Sequence, residues 1–144
     1  MGMVAESVLK AGGNILGVIP EFLREHLILE PEQSDHIFVN NLSQRKAALI
    51  KHSDAFVALP GGLGTLDELL EVLAWRQLHQ LNKPIGLLNV NSYFSPMLDM
   101  FEHTIAEGFL KKSELDELVV ETDPKTLVEK IILLAEENEK TAFF

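Results

Sequence analysis

Apolar residues along this chain follow two alternating rhythms: short, nearly unbroken runs within segments of four to seven residues, and longer stretches where they recur every three or four. The short runs read as buried strands at residues 14–20 (NILGVIP), 36–39 (HIFV), 54–59 (DAFVAL), 85–90 (IGLLNV) and 117–121 (ELVVE). The periodic stretches read as helices. The first covers 3–11, with Val4, Ala5, Val8 and Ala11 on one face and Gly12-Gly13 as its stop. A second covers 40–53, where Asn41 and Gln44 have capping-box spacing and Ala47, Ala48 and Ile50 lie inside. The clearest covers 66–81, with Leu66, Leu69, Leu70, Leu73 and Ala74 on one face. Another spans 94–107 through Phe94, Leu98, Phe101 and Ile105. The last begins at Asp123, an N-cap, with Pro124 at the first helical position. Residues 21–35 are charged, contain Pro31 and read as a loop with a short helical turn.

Strands that alternate with helices and are apolar on both faces imply an α/β fold, a doubly wound parallel sheet flanked by helices. Such sheets bind ligands outside the carboxyl ends of their strands. The segment LPGGLGTLDE, residues 59–68, lies at one of those ends. Gly61, Gly62 and Gly64 would leave several amides aimed at one spot at the positive end of the following helix, and Thr65 adds a hydroxyl. A phosphate is the natural occupant. A purely structural reading stands beside it, because Thr65 and Glu68 have the spacing of a capping box. Asp67 and Glu68 oppose a second anion, so a phosphate site needs a cation nearby. Arg45 and Lys46, early in the helix that follows HIFV, are the candidates.

Composition narrows the partners. With 144 residues, 47% of them hydrophobic and 24% charged, the chain is expected to form one domain over 1–144 with a real core. Twelve basic residues against 22 acidic ones, formally −10, repel a polyphosphate backbone, so nucleic acid is not expected as a partner. No apolar run is long enough to span a bilayer, no secretion signal opens the chain and cysteine is absent, so a cytoplasmic location without membrane association is expected. His26, His36, His52, His79 and His103 show no metal-ligand spacing, and no metal site or cofactor is expected.

PGGLGTLDE matches the PGGxGTxxE signature of the LOG ("lonely guy") phosphoribohydrolases, proteins often labelled lysine decarboxylases. SQRKAALIKHSDAFVALPGG, ELLEVLAWRQLHQLNKPIGLLNVNSYF and AGGNILGVIP resemble the family's flanking segments, so the likeness covers nearly the whole chain. It implies a Rossmann-like domain that cleaves the N-glycosidic bond of a nucleoside 5′-monophosphate. The substrate is then a cytokinin riboside monophosphate or AMP, and the products are free base and ribose 5-phosphate. By the same resemblance, Gly61, Gly62, Gly64 and Thr65 hold the 5′-phosphate, with Lys46 beside them. Arg45 and Glu68 are the catalytic pair, and Glu71 lies near the ribose. The family assembles as homodimers or higher homo-oligomers, which makes Leu78, Leu81 and Met97 either interface or core.

Family members begin with a further β-α-β stretch of roughly 30 or more residues, which this sequence is expected to lack, since MGMV resembles the end of the loop that closes it. The alternative is a non-catalytic binding protein of the molybdenum-cofactor-carrier type, which needs the anion cradle but not Arg45 with Glu68. A lysine decarboxylase would require a pyridoxal phosphate lysine in a larger dedicated fold, and Lys46 and Lys83 have no such architecture around them.

Overall fold

Every strand pair in the computed structural model is parallel, as runs apolar on both faces require. The structure describes residues 2–26 and 35–141. Pro31 and the two terminal phenylalanines, for which the sequence offers no role, lie outside these residues. The chain divides into two compact units, Met1–His52 and Ser53–Phe144.

In the first unit, α1 (Gly2–Lys10) leads to β1 (Leu16–Pro20), then a short 3-10 segment at Glu21–His26, β2 (Asp35–Val39) and α2 (Leu42–His52). Strands β1 and β2 pair from Leu16 opposite Asp35 to Pro20 opposite Val39. Among its described residues, Val18, Pro20 and Ile50 are buried. α1 stops where expected. Gly12 takes a left-handed φ of 79°, and the Gly13 amide bonds back to the Val8 carbonyl.

The second unit runs β3 (Phe56–Ala58), α3 (Leu63–Gln77), β4 (Ile85–Leu88), α4 (Ser95–Ala106), β5 (Leu118–Glu121) and α5 (Pro124–Thr141). Its sheet order is β3-β4-β5. The central strand β4 puts Ile85 and Leu87 wholly out of solvent. Gly86 allows α5 to settle on the sheet, because a Cβ there would stand 2.8 Å from Leu127 Cδ1 and 3.0 Å from Ile131 Cδ1. Leu127, Ile131 and Phe94 join this core.

Both units are α/β, with parallel strands flanked by helices in the Rossmann-like manner. The pairing forms two ladders, a two-stranded and a three-stranded sheet. α3 departs most from expectation, running 63–77 rather than 66–81. Its inward stripe is also rotated: Leu69 and Val72 are buried, whereas Leu70 and Ala74 face outward. Leu81 is core, Leu78 is exposed and Met97 is half-buried.

Candidate functional site

The turn after β3 is where sequence and structure converge. α3 begins at Leu63, with Gly62 as its N-cap and no side chain capping it. The first intrahelical bond runs from the Leu66 amide to the Gly62 carbonyl, 3.1 Å. The amides of Leu63, Gly64 and Thr65 therefore precede the helical ladder, at the positive end of the helix dipole. This removes the capping-box reading of Thr65 and Glu68. Thr65 sits inside the first turn at N3, and the box would need it at the N-cap.

The glycines differ in what they do. A Cβ on Gly61 would stand 2.2 Å from Thr65 Oγ1, so the turn closes this tightly only with glycine there. A Cβ on Gly62 or Gly64 would meet no atom within 4 Å. Neither is required by internal packing. A surface left bare beside a row of leading amides admits close approach of an anion to the backbone.

Thr65, Glu68 and Glu71 recur every three residues along α3, so they form a ridge leading away from the turn at ~1.5 Å rise per residue. All three are half-buried, whereas Asp67 is exposed. The helix thus carries two carboxylates along one sheltered line and sends the third into water.

Arg45 and Lys46 belong to the first unit, in the opening turns of α2. Asn41 caps that helix, its Oδ1 accepting the Gln44 amide at 2.9 Å. Gln44 Oε1 in turn accepts the Asn40 amide at 2.9 Å, one residue earlier than a standard box. The Arg45 Nε donates to the Val18 carbonyl of β1 at 3.2 Å, which fixes the plane of the guanidinium. Burial pulls the Arg45 pKa below its usual value. Arginine is basic enough to remain cationic regardless.

The segment NVNSYF, residues 89–94, reads from the sequence equally as a loop over the site or as a plain strand exit, and the structure brings its Tyr93 to the glycine turn. Its hydroxyl donates to the Gly61 carbonyl at 2.5 Å. It is the one tyrosine in the chain and follows the carboxyl end of β4, and that position was the available signal. Among the described residues, no group of three or more His, Asp or Glu side chains is placed to hold a metal ion. Nor is any described helix long and apolar enough to cross a membrane.

A family model described as "Possible lysine decarboxylase" matches residues 1–131. An Arabidopsis thaliana cytokinin riboside 5′-monophosphate phosphoribohydrolase, LOG5, is 44% identical over 131 residues, covering 91% of this chain and 58% of that protein. The chain belongs to the LOG family. A rice relative (Oryza sativa subsp. japonica) named "Probable cytokinin riboside 5′-monophosphate phosphoribohydrolase" is 42% identical over 140 residues, 97% of this chain and 57% of its own length. A second Arabidopsis thaliana LOG phosphoribohydrolase is 40% identical over 142 residues, 99% of this chain and 67% of its own. The LOG-family chain thus spans between 57% and 67% of the length of these relatives.

Proposed function

We propose that this LOG-family chain is a phosphoribohydrolase that hydrolyses the N-glycosidic bond of a nucleoside 5′-monophosphate, a cytokinin riboside monophosphate or AMP. The observation that carries the reading is the start of α3: bare glycines and leading amides, without a side-chain cap, inside the PGGLGTLDE signature. The amides and the Thr65 hydroxyl receive the 5′-phosphate, with Lys46 adding positive charge. Glu71, further along the ridge, is assigned to the ribose.

As the bond from C1′ to the base nitrogen breaks, positive charge develops on the sugar. The Glu68 carboxylate stabilises that charge and orients the water whose oxygen joins C1′, and the base leaves with a proton. Arg45 is assigned by the family pattern as partner of Glu68 and as counter-charge to phosphate. The decarboxylase description of the family model fits the residues poorly. Lys83 donates to the Ser53 carbonyl at the amino ends of β4 and β3, the edge opposite the glycine turn. A pyridoxal phosphate lysine is needed at the ligand edge.

Oligomers, dimeric or larger, are part of the proposal. On the outer face of α3, Leu70, Ala74 and Leu78 are exposed four residues apart beside Trp75, and light scattering reads the resulting mass.

The deciding assay separates free base chromatographically from AMP and from a prenylated adenosine monophosphate. Wild type is expected to release base. Glu68→Gln is expected to lose about 10²- to 10⁴-fold in turnover, the range for a positioned acid–base group, while nucleotide affinity stays within a few-fold. Arg45→Ala should impair both binding and turnover. Full turnover by Glu68→Gln would remove Glu68 from the chemistry. Nucleotide binding by wild type without base release would favour a binding protein of the cofactor-carrier type.

A further inference from the structure

A cradle made of backbone amides works only if its peptide planes are held, and a Gly-Gly link is the least held of all. The peptide joining Gly61 to Gly62 is trans, so its carbonyl and its N–H point in opposite directions. Whatever fixes the Gly61 carbonyl therefore also aims the Gly62 amide. Tyr93 does this, donating its hydroxyl to that carbonyl.

The hydroxyl is itself well supported. Tyr93 meets Phe94 edge to face, with ring centroids 5.1 Å apart and planes at 90°. Phe94 is 1% exposed, so this support is part of the core. Asn89 Oδ1 accepts the Phe94 amide at 2.7 Å, and Asn89 Nδ2 donates to Ser95 Oγ at 3.2 Å. Between these anchors Asn91 and Ser92 take φ of 52° and 57°. Two successive residues with side chains in the left-handed region are uncommon. Such strain persists only where the surrounding contacts demand it.

We propose that Tyr93 is a positioning residue of the phosphate cradle, holding the Gly61–Gly62 peptide so that the Gly62 amide faces the bound anion. This rests on the reading of the glycine turn as the 5′-phosphate site. Acting through the Gly61 carbonyl, Tyr93 affects ground-state binding of the phosphate and leaves bond cleavage alone. The Tyr93→Phe change removes the hydroxyl alone and keeps the ring against Phe94.

The test compares wild type and Tyr93→Phe in the full chain by calorimetry with ribose 5-phosphate, AMP and adenosine, alongside steady-state base release. The expected result is affinity for ribose 5-phosphate and AMP weakened about 3- to 10-fold, the worth of one net hydrogen bond. KM should rise by the same factor, kcat should stay within about twofold, and adenosine should bind both proteins alike. The Gly62 amide resonance should shift when ribose 5-phosphate is added to wild type and shift less in the variant. If wild type binds adenosine but neither phosphorylated ligand, the phosphate-site reading itself fails. If wild type binds ribose 5-phosphate and Tyr93→Phe binds it equally well, only the role of Tyr93 is overturned. Equal weakening toward adenosine and AMP would likewise overturn it, because that outcome marks a general fold support.

Discussion

Asp123 ends a loop and begins a helix with a single carboxylate. Its Oδ2 accepts both the amide and the hydroxyl of Thr126, each at 2.8 Å. The bond from the Thr126 amide is the leading reason that its pKa lies below the ordinary aspartate value. A carboxyl lowered on folding stabilises the native state fully above its unfolded pKa of about 4, and that contribution disappears as pH falls through the lower folded value. Asp123→Asn keeps a capping acceptor but has no charge to titrate. Its melting temperature should therefore lie below that of wild type at pH 7, and the gap should close as the pH is taken from 4 down to 2. A gap that stays constant over that range would show that ionisation of Asp123 does not matter. Asn41 and Gln44 do the equivalent task for α2 without any titratable group.

At the scale of the element, three helices end in the same way. α1, α3 and α4 each close with a left-handed residue: Gly12 at φ 79°, His79 at 54° and Gly108 at 79°. In each, the next amide reaches back to the helix: Gly13 to Val8, Gln80 to Trp75 and Phe109 to Thr104. Only α3 does this without glycine. A left-handed non-glycine residue costs about 1–2 kcal/mol, and glycine returns about 0.5–1 kcal/mol of that as lost chain entropy. His79→Gly should stabilise the protein by about 0.5–1 kcal/mol in denaturant unfolding, and a loss of stability would mean that the imidazole makes a compensating contact.

The same comparison explains what the sequence could and could not reveal. Gly12-Gly13 announced the end of α1, whereas His79 carries no such signal, and so α3 was expected to run on to residue 81. Its buried face differs from the expected one because leucines lie on both sides of the helix. Leu69 and Leu70 are adjacent in sequence, yet only Leu69 is buried. The strands were legible because parallel burial makes them continuously apolar, as Ile85 and Leu87 illustrate. The glycine turn was legible because its residue types are spaced as a motif. NVNSYF reads equally as a loop over the site or a plain strand exit, and nothing in it singles out Tyr93, since its partner is a backbone carbonyl that any residue in the turn would have offered.

For the molecule as a whole, the proposed oligomer has an exposed apolar line on α3 available to it. Leu78 is 67% exposed and Leu70 49%, on the same outward line of α3 as Ala74. A charge of −10 opposes that association at long range. In the proposed oligomer the apolar contact therefore supplies most of the attraction, and added salt should strengthen assembly by screening. Leu78→Lys is expected to shift the mass seen by light scattering toward the monomer at moderate salt while leaving the circular dichroism spectrum unchanged. An unaltered oligomer would place the interface on another face.

The bond between Tyr93 and the Gly61 carbonyl also gives the protein a built-in reporter. With one tyrosine in 144 residues, a chain grown on tyrosine labelled with carbon-13 at Cζ yields a single phenol resonance. That signal comes from a group attached to the glycine turn. Arrival of the proposed phosphate ligand at the turn should thus be readable from one spectral line, with no tag introduced and no residue changed.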